Sequence, residues 1–522
     1  MSKKQAGILA LLTLMAFVLA FMISNRVFYR IDMTKDKNYT ISDASRNLQR
    51  EISDVVTITY FVSERLSNAH PLPSEIADLV REYAAHSRGR IRFIQRDPAR
   101  AGITREIEGL GILPQRIQVV ERNETTVATV YSGILIEYLD RQSVMPVVFS
   151  LETLEYDISS RIRSLVRNTE NVLGVIVADS HKDWQSEYSL LHQELFLSGF
   201  QVRLIRPGEE IPPDLPALFV LGGAEDLDID ALYSIDRYIF GGGNVLFATD
   251  GIIIDVYGNF DARPASDQGL LAMLTNYGVI IQPYLVQDLS ALNLTYQSNN
   301  WNITTIRTVR YPQWIAVQES YANMDHPITA LFDGIDLFWA SPLELVPSPL
   351  VSADILFTST EHAWLQTENF ITSPEMVFLF EDEADDTKGV RILGAALSGV
   401  FPSTFQFDEN NTGRPARIIV VGNTNFAGSL MQLNRGSDRN IDFLIRAAEW
   451  LSSDDDLLSI RIRERPQGRL DRITDIELRN IIMTSSRLIN TFVIPLVIII
   501  IGIIIGIRRK AKTKARGVSG EF

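Results

Sequence analysis

Cysteine is absent from the 522-residue chain. That removes thiol nucleophiles, disulfide staples and thiolate metal sites. It suits an exported envelope domain without fixing the compartment. Histidine is scarce. His70, His86, His181, His192, His326 and His362 stand at no ligand spacing such as H-x-x-x-H, and no metal site is expected. Positive charge is also short, with 49 basic against 64 acidic side chains, which argues against a nucleic-acid partner. Gly241-Gly242-Gly243 lacks the Gly-Lys-[Ser/Thr] ending of a phosphate loop and precedes a strand, so it reads as a helix stop. No G-x-S-x-G elbow occurs. The acids of 381–386 lack the central glycine and terminal glutamate of a calcium loop and read as a solvated loop. No cofactor is expected.

What the chain has in excess is two long apolar runs. Residues 488–507 carry no charge, and about 20 helical residues span a bilayer core. The basic run Arg508, Arg509, Lys510, Lys512, Lys514 and Arg516 follows, with no acid before Glu521, and stays cytoplasmic. Gly502 and Gly506 form a Gly-x-x-x-Gly pair, a candidate helix-packing face, below Pro495. A second charge-free run covers 5–25 after Lys3 and Lys4. It reads either as a signal peptide cleaved after Val18-Leu19-Ala20 or as an uncleaved anchor. Its continuation through Phe21-Met22-Ile23 favours the anchor. Two spans place both termini in the cytoplasm and the intervening bulk outside.

The expected fold class is α/β, with two transmembrane helices flanking two exported units. Residues 1–29 form the N-terminal anchor. In 30–150, Thr40 or Ser42 caps a helix through Leu48 and Ile52, and 55–62 is a β-branched strand. A helix over 74–87, with Ile76, Leu79, Val80 and Tyr83 on one face, stops at Gly89. Strands are expected over 90–95, 117–120 and 133–138, the last two as a hairpin around Asn123. The β-α-β-β-β order resembles a thioredoxin-like layer. Ser63-Glu-Arg-Leu-Ser67 stands where Cys-x-x-Cys would be, so redox chemistry is excluded.

Residues 151–171 form a linker helix with Leu154, Ile158, Ile162 and Leu165 on one face. Over 172–455, apolar strands (172–178, 201–205, 217–221, 244–248, 416–422) alternate with helices (188–197, 229–239, 268–277, 441–451), which predicts a doubly wound parallel sheet. An insertion is placed around 285–410. Residues 456–487 are juxtamembrane and 508–522 a basic cytoplasmic tail. The turn Phe219-Val-Leu-Gly-Gly-Ala-Glu-Asp226 resembles a loop of class I amidotransferase-like sheets, without their cysteine nucleophile. Ligands bind at strand C-terminal ends in such sheets. The candidate pocket there comprises Asp179, Ser180, His181, Gly222, Gly223 and Asp250. Asp179 and His181 admit three readings: turn residues, a vestigial pocket or a catalytic pair.

Asp32-Met-Thr-Lys-Asp-Lys-Asn-Tyr-Thr-Ile-Ser-Asp-Ala-Ser45 resembles the signature of GldG-type proteins, auxiliary subunits of gliding-motility-associated ABC transporters. Further matches, in order, are Glu82-Tyr83-Ala84-Ala85 with Asp97-Pro98, Tyr131-Ser-Gly-Ile134 and Asp325-His-Pro-Ile328. Arg417-Ile-Ile-Val-Val-Gly-Asn-Thr-Asn-Phe426 and Asn440 through Trp450-Leu451 complete the set. Asn423 and Asn425 stand where such proteins often have acids, and 290–410 aligns poorly. The resemblance implies a non-enzymatic, two-span protein of the bacterial inner membrane, working with a permease and an ATPase on separate chains. Its central sheet is similar to a domain of an intraflagellar-transport subunit that serves assembly, and no catalytic residue carries over. The competing expectations are an envelope hydrolase or amidotransferase-like enzyme using Asp179 and His181, and a free-standing ligand-binding scaffold.

Overall fold

The computed structural model describes residues 41–453, apart from 122–123, 152, 168–170, 257, 259, 267, 301–302, 381–386, 406–412 and 434–436. Both apolar runs, the Gly502 and Gly506 pair, the juxtamembrane segment, the basic tail and the acidic 381–386 loop lie outside these residues. Among the described residues no helix is long and apolar enough to cross a membrane.

The first part is a four-stranded sheet with helices packed on it. Ser42 caps α1 (Asp43–Glu51), its Oγ accepting from the Ser45 N–H at 3.1 Å. β1 (Val56–Val62), α2 (Leu72–His86), β2 (Ile91–Arg96), β3 (Ser132–Tyr138), β4 (Arg141–Met145) and α3 (Leu154–Arg167) follow. The strand order is β2-β1-β3-β4, with β1 parallel to β2 and the other two pairings antiparallel. β-branched and aromatic residues make β1 a strand, and Ile58 and Tyr60 are fully buried by the helices. The predicted stripe of α3 (Leu154, Ile158, Ile162, Leu165) is buried in the same core.

Two local expectations need correcting. The partner of Gln115–Glu121 is Glu124–Val130, in a separate two-stranded hairpin, whereas β3 pairs with β1. The Thr-rich 124–130 stretch has the β-branched content of a strand but no continuous apolar run to mark it in the sequence. α2 closes on Ser87, whose N–H donates to the Ala84 carbonyl at 3.1 Å, two residues before Gly89.

The second part is built on a nine-stranded sheet. Its elements are β5 (Val172–Val177), α4 (Ser189–Leu197), β6 (Gln201–Leu204), β7 (Ala217–Leu221), α5 (Ile229–Phe240), β8 (Val245–Ala248), α6 (Leu270–Tyr277) and β9 (Val279–Ile281). Then come β10 (Ala291–Asn300), β11 (Ile303–Val317), β12 (Leu343–Leu345), β13 (Val351–Thr358), β14 (Ile392–Val400), β15 (Pro415–Val421) and α7 (Ser437–Ser452). The sheet order is β9-β12-β14-β15-β8-β7-β5-β6, with β13 beside β14. Strands β6, β5, β7, β8 and β15 run parallel, as predicted. Beyond β15 the pairings are antiparallel, so the sheet is mixed. Three of its strands (β12, β13, β14) come from the stretch read as an insertion. β10 and β11 form a long hairpin outside it.

The parallel strands read as continuous apolar runs because both faces are covered. Phe219 and Leu221 of β7 face one core with Leu191 of α4 and Leu444 of α7. Leu218 and Val220 face the other, with Ile235 of α5 and Leu274 of α6. Gly241 to Gly243 stop α5 as expected, the Gly243 N–H donating to the Tyr238 carbonyl at 2.9 Å. The helix α3 joins the two sheets. Its Arg161 lies buried against Gly199, and its Tyr156 hydroxyl is 3.0 Å from the Ser453 Oγ.

Candidate functional site

The chain passes from β5 outward to β6, then returns to the other side of β5 to form β7. That reversal leaves a crevice at the C-terminal ends of β5 and β7, the place where open α/β sheets hold ligands. Four strand ends converge on it. β5 leads into Asp179, β7 into Gly222 and Gly223, β8 into Thr249 and Asp250, and β15 into the 423–425 turn. The result is a pocket of about 500 Å³. Asp179, His181, Gly222, Gly223 and Asp250 all line it; Ser180, the sixth candidate, is not in its wall.

The glycines are there for close approach. Gly222 and Gly223 have φ of +92° and +91°. A Cβ on Gly223 would stand 2.8 Å from Leu227 Cδ1 and 2.9 Å from the Ala178 Cβ. Only glycine takes this backbone without strain or collision.

Asp179 serves two neighbours. Its Oδ1 accepts from the His181 N–H at 2.9 Å, a turn bond, and its Oδ2 lies 3.4 Å from the Lys182 ammonium. The Lys182 side chain is only 6 % exposed, and it also donates to Asn425 Oδ1 at 3.0 Å. Asp250 Oδ1 accepts from the Thr424 N–H at 2.8 Å and from Asn423 Nδ2 at 3.3 Å. Burial raises the Asp250 carboxyl above its ordinary range, against the pull of Lys182. Asp226 is also raised, by burial first and then by the charge of Asp179. On the rim, Glu225 holds Arg263 through two bonds of 2.8 and 2.7 Å and accepts from the Ser266 N–H, which keeps its carboxyl low.

A hydrolytic relay needs both imidazole nitrogens, one toward the carboxylate and one toward the hydroxyl. Here Ser180 Oγ and Asp179 Oδ1 both lie 3.5 Å from the same atom, His181 Nδ1. The ring is 80 % exposed, so no buried surroundings hold it in a relay orientation. Among the described residues no group of three His, Asp or Glu side chains is placed to hold a metal ion.

The wall residues outside the candidate set include Lys182, Asp226, Thr249, Arg263 and Asn425. Asp226 and Asn425 carried a signal, lying within motifs already noted. Lys182 resembles any surface lysine. Arg263 arrives on a short hairpin, Ile252–Ile254 with Ala262–Pro264, that has no sequence periodicity to reveal it.

Among solved structures the chain is similar to one titled mmIFT52 N-terminal domain, at 13% identity and TM-score 0.33, over 54% of this chain and 98% of that one. It is also similar to a putative thua-like protein from Parabacteroides merdae, at 14% identity and TM-score 0.26, over 54% and 89%. An uncharacterized protein of Borreliella burgdorferi is 26% identical over 97% of this chain and 98% of its own length. A family model for a domain of unknown function, DUF7088, matches residues 35–137. The span that builds the mixed sheet and its switch-point pocket, residues 170–451, matches a second model over more than half of the chain, and the protein therefore belongs to the ABC-type uncharacterized transport system family.

Proposed function

We propose that this protein is a non-catalytic, membrane-anchored, extracytoplasmic auxiliary subunit of an ABC transporter. It works with an ATPase and a permease on separate chains, in envelope export or gliding motility of the GldG type. The observation that carries the reading is the transport-family match over the sheet whose strand-end pocket holds no relay geometry. In this reading the first sheet is a thioredoxin-like module and the second an amidotransferase-like one, both used for assembly and recognition. The runs 5–25 and 488–507 anchor them in a bacterial inner membrane with both termini cytoplasmic. The permease contact is assigned to Gly502 and Gly506, where missing Cβ atoms let a neighbouring helix approach.

Copurification tests this directly. Gly502→Leu with Gly506→Leu is expected to insert normally and to recover several-fold less permease than wild type. Wild-type recovery would remove that face as the contact. A reporter active only in the cytoplasm, fused near residue 300, is expected to be silent. An active fusion would refute the topology. If wild-type protein captures neither a P-loop ATPase nor a multi-span permease, the transporter reading fails.

A further inference from the structure

We propose that the outer edge of β2 takes an extended, acidic segment of a partner protein as a fifth strand, with carboxylates four residues apart set against Arg92 and Arg96. The proposal stands whether or not the chain partners with a transporter.

β2 is the end strand of its sheet, paired on one side only, with β1. The ladder tells which backbone groups are left over. The Val56 N–H donates to the Arg90 carbonyl, and Val56 stands opposite Ile91. In a parallel pair each such residue bonds the two that flank its opposite number. Val56, Ile58 and Tyr60 therefore use backbone groups of Arg90, Arg92, Ile94 and Arg96. The N–H and C=O groups of Phe93 and Gln95 point the other way. The Ile91 N–H is taken by Ser87 Oγ at 2.9 Å. Among the described residues nothing takes those of Phe93 and Gln95, so a row of donors and acceptors faces outward. An extended peptide can add to such an edge through its own backbone.

The charge beside the edge selects the occupant. Six arginines (Arg88, Arg90, Arg92, Arg96, Arg100, Arg105) stand between Glu82 and Glu106 with one acid, Asp97, in a chain whose net charge is −15. Asp97 is occupied by the N–H groups of Glu64, Ala99 and Arg100. Arg90 is occupied by the Gln49 and Arg50 carbonyls. Arg92 and Arg96 are exposed and have no carboxylate partner among the described residues. They share one face of β2, opposite Thr57 and Phe61 of β1, with half-buried Ile94 between them. That face is turned away from the core that Ile58 and Tyr60 share with α1, α2 and α3.

These arginines exclude one occupant and admit another. In an antiparallel pairing with a second copy of β2, Ile94 opposite Ile94 would set Arg92 against Arg96, and like charges directly opposite repel. A strand with carboxylates at those places is admitted, because a guanidinium holds a carboxylate through two parallel bonds. Four residues of strand span about 13 Å. The occupant's acids must repeat at that interval on one face, with β-branched or apolar residues between them.

The test is fluorescence anisotropy of labelled peptides on the full chain in zwitterionic nanodiscs. The first peptide is Ser-Thr-Glu-Val-Val-Thr-Glu-Thr-Ser, with glutamates four apart. The second, Ser-Thr-Glu-Val-Thr-Glu-Val-Thr-Ser, has the same composition with glutamates three apart, hence on opposite faces. The third carries lysine in place of both glutamates of the first. Saturable binding of the first is expected, at least fivefold tighter than the second, with none of the third. Hydrogen exchange at the Phe93 and Gln95 amides should slow at least threefold on binding. Gln95→Pro removes one outward N–H, spares the ladder with β1, and should weaken binding at least tenfold. Arg92→Glu with Arg96→Glu should lose the glutamate peptide and gain the lysine one. Absence of saturable binding by the first peptide overturns the proposal. Equal affinity for the two glutamate peptides, or unchanged exchange at 93 and 95, also overturns it, and leaves a basic surface open to any polyanion, an anionic membrane included. If Gln95→Pro does not fold, the charge reversal decides: failure to transfer binding to the lysine peptide refutes the pairing.

Discussion

Lys182→Met tests whether the buried ammonium holds the pocket together. Methionine keeps the length and the aliphatic stem, so the change removes charge and donors while sparing volume. Two partners lose their cation: Asp179 at 3.4 Å and Asn425 at 3.0 Å. Breaking a fully buried pair costs about 3–5 kcal/mol. Asp179 is 24 % exposed and can partly rehydrate, so the expected loss is nearer 2–3 kcal/mol. At roughly 2–4 °C per kcal/mol for a domain of this size, Tm should fall by about 4–12 °C. The pH dependence gives a second readout. Asp250 titrates above its ordinary value in the folded protein because of burial, and Lys182 opposes that rise. A raised carboxyl contributes stability that is full below the unfolded value and is lost as pH rises through the folded one. Without Lys182 the folded value rises further, so the deficit of the variant should be largest near pH 7.5 and shrink toward pH 5. Asp250→Asn in the Lys182→Met background should recover part of the loss, since Asn can still accept from the Thr424 N–H. Differential scanning fluorimetry of the solubilised full chain at both pH values is the assay. A Tm within about 2 °C of wild type at both pH values would refute the electrostatic account.

Three further predictions follow from buried groups. His326 is buried beside Trp450, and desolvation lowers its value from 6.5 to about 4. It is neutral when folded and protonated when unfolded between those values, so acidification from pH 6.5 to 4 should cost the wild type about 3 kcal/mol from this residue. His326→Asn should flatten that part of a chemical-denaturation profile, and an unchanged slope would sink the assignment. Gly223→Val places a branched side chain at φ +91° against Leu227 and Ala178, so roughly 2–4 kcal/mol of lost stability is expected, read as a lower denaturation midpoint; wild-type stability would contradict the close packing. Asp236 accepts from the Tyr277 hydroxyl, the Ser403 Oγ and the Thr404 and Phe405 N–H groups. Asp236→Asn should lose about 1–3 kcal/mol and speed hydrogen exchange at 404 and 405, whereas unchanged exchange there would show that the carboxylate does not fasten this segment.

The parts legible in the sequence are those where burial imposes one rule along a whole element. Val172–Val177 and the 418–421 stretch of β15 announce themselves as covered strands because no polar residue interrupts them. α3 is legible because one side alone meets a sheet, and Leu154, Ile158, Ile162 and Leu165 repeat at its turn. The region around Tyr311, Trp314 and Trp339 obeys no such rule. Its core is a cluster of aromatic rings meeting edge to face at 5.6–6.3 Å, two of them on the long strand β11 and the third just after Ile335–Phe338. Asp288 shows the same economy, fastening Thr360 through two bonds of 2.7 Å across 72 residues of chain.

The pocket divides along the same line. Asp179, Gly222 and Asp250 are grouped by the sequence because parallel strands bring their C-terminal ends to one edge, and each stands within two residues of such an end. The identity of the neighbours between those ends is a matter of strand order, which composition does not encode. β15 lies some 170 residues after β8, yet it pairs in register with it, Val245 opposite Ile418. That pairing sets Asn423 and Thr424 against Asp250, and Asn425 against Lys182. Two asparagines in this turn therefore have a physical task. Asn423 donates to Asp250 through Nδ2 while its Oδ1 accepts from the Phe338 N–H at 3.1 Å, a pair of roles an aspartate could not fill. Asn425 gives Lys182 a neutral acceptor, so the ammonium is held without a further charge beside Asp179 and Asp250. An acid at 423 would face Asp250 with like charge and no donor, and would drive that carboxyl higher still. Neither position adds a carboxylate to the wall, so the buried Lys182 serves Asp179, Asp250 and Asn425 alone among the groups at this turn.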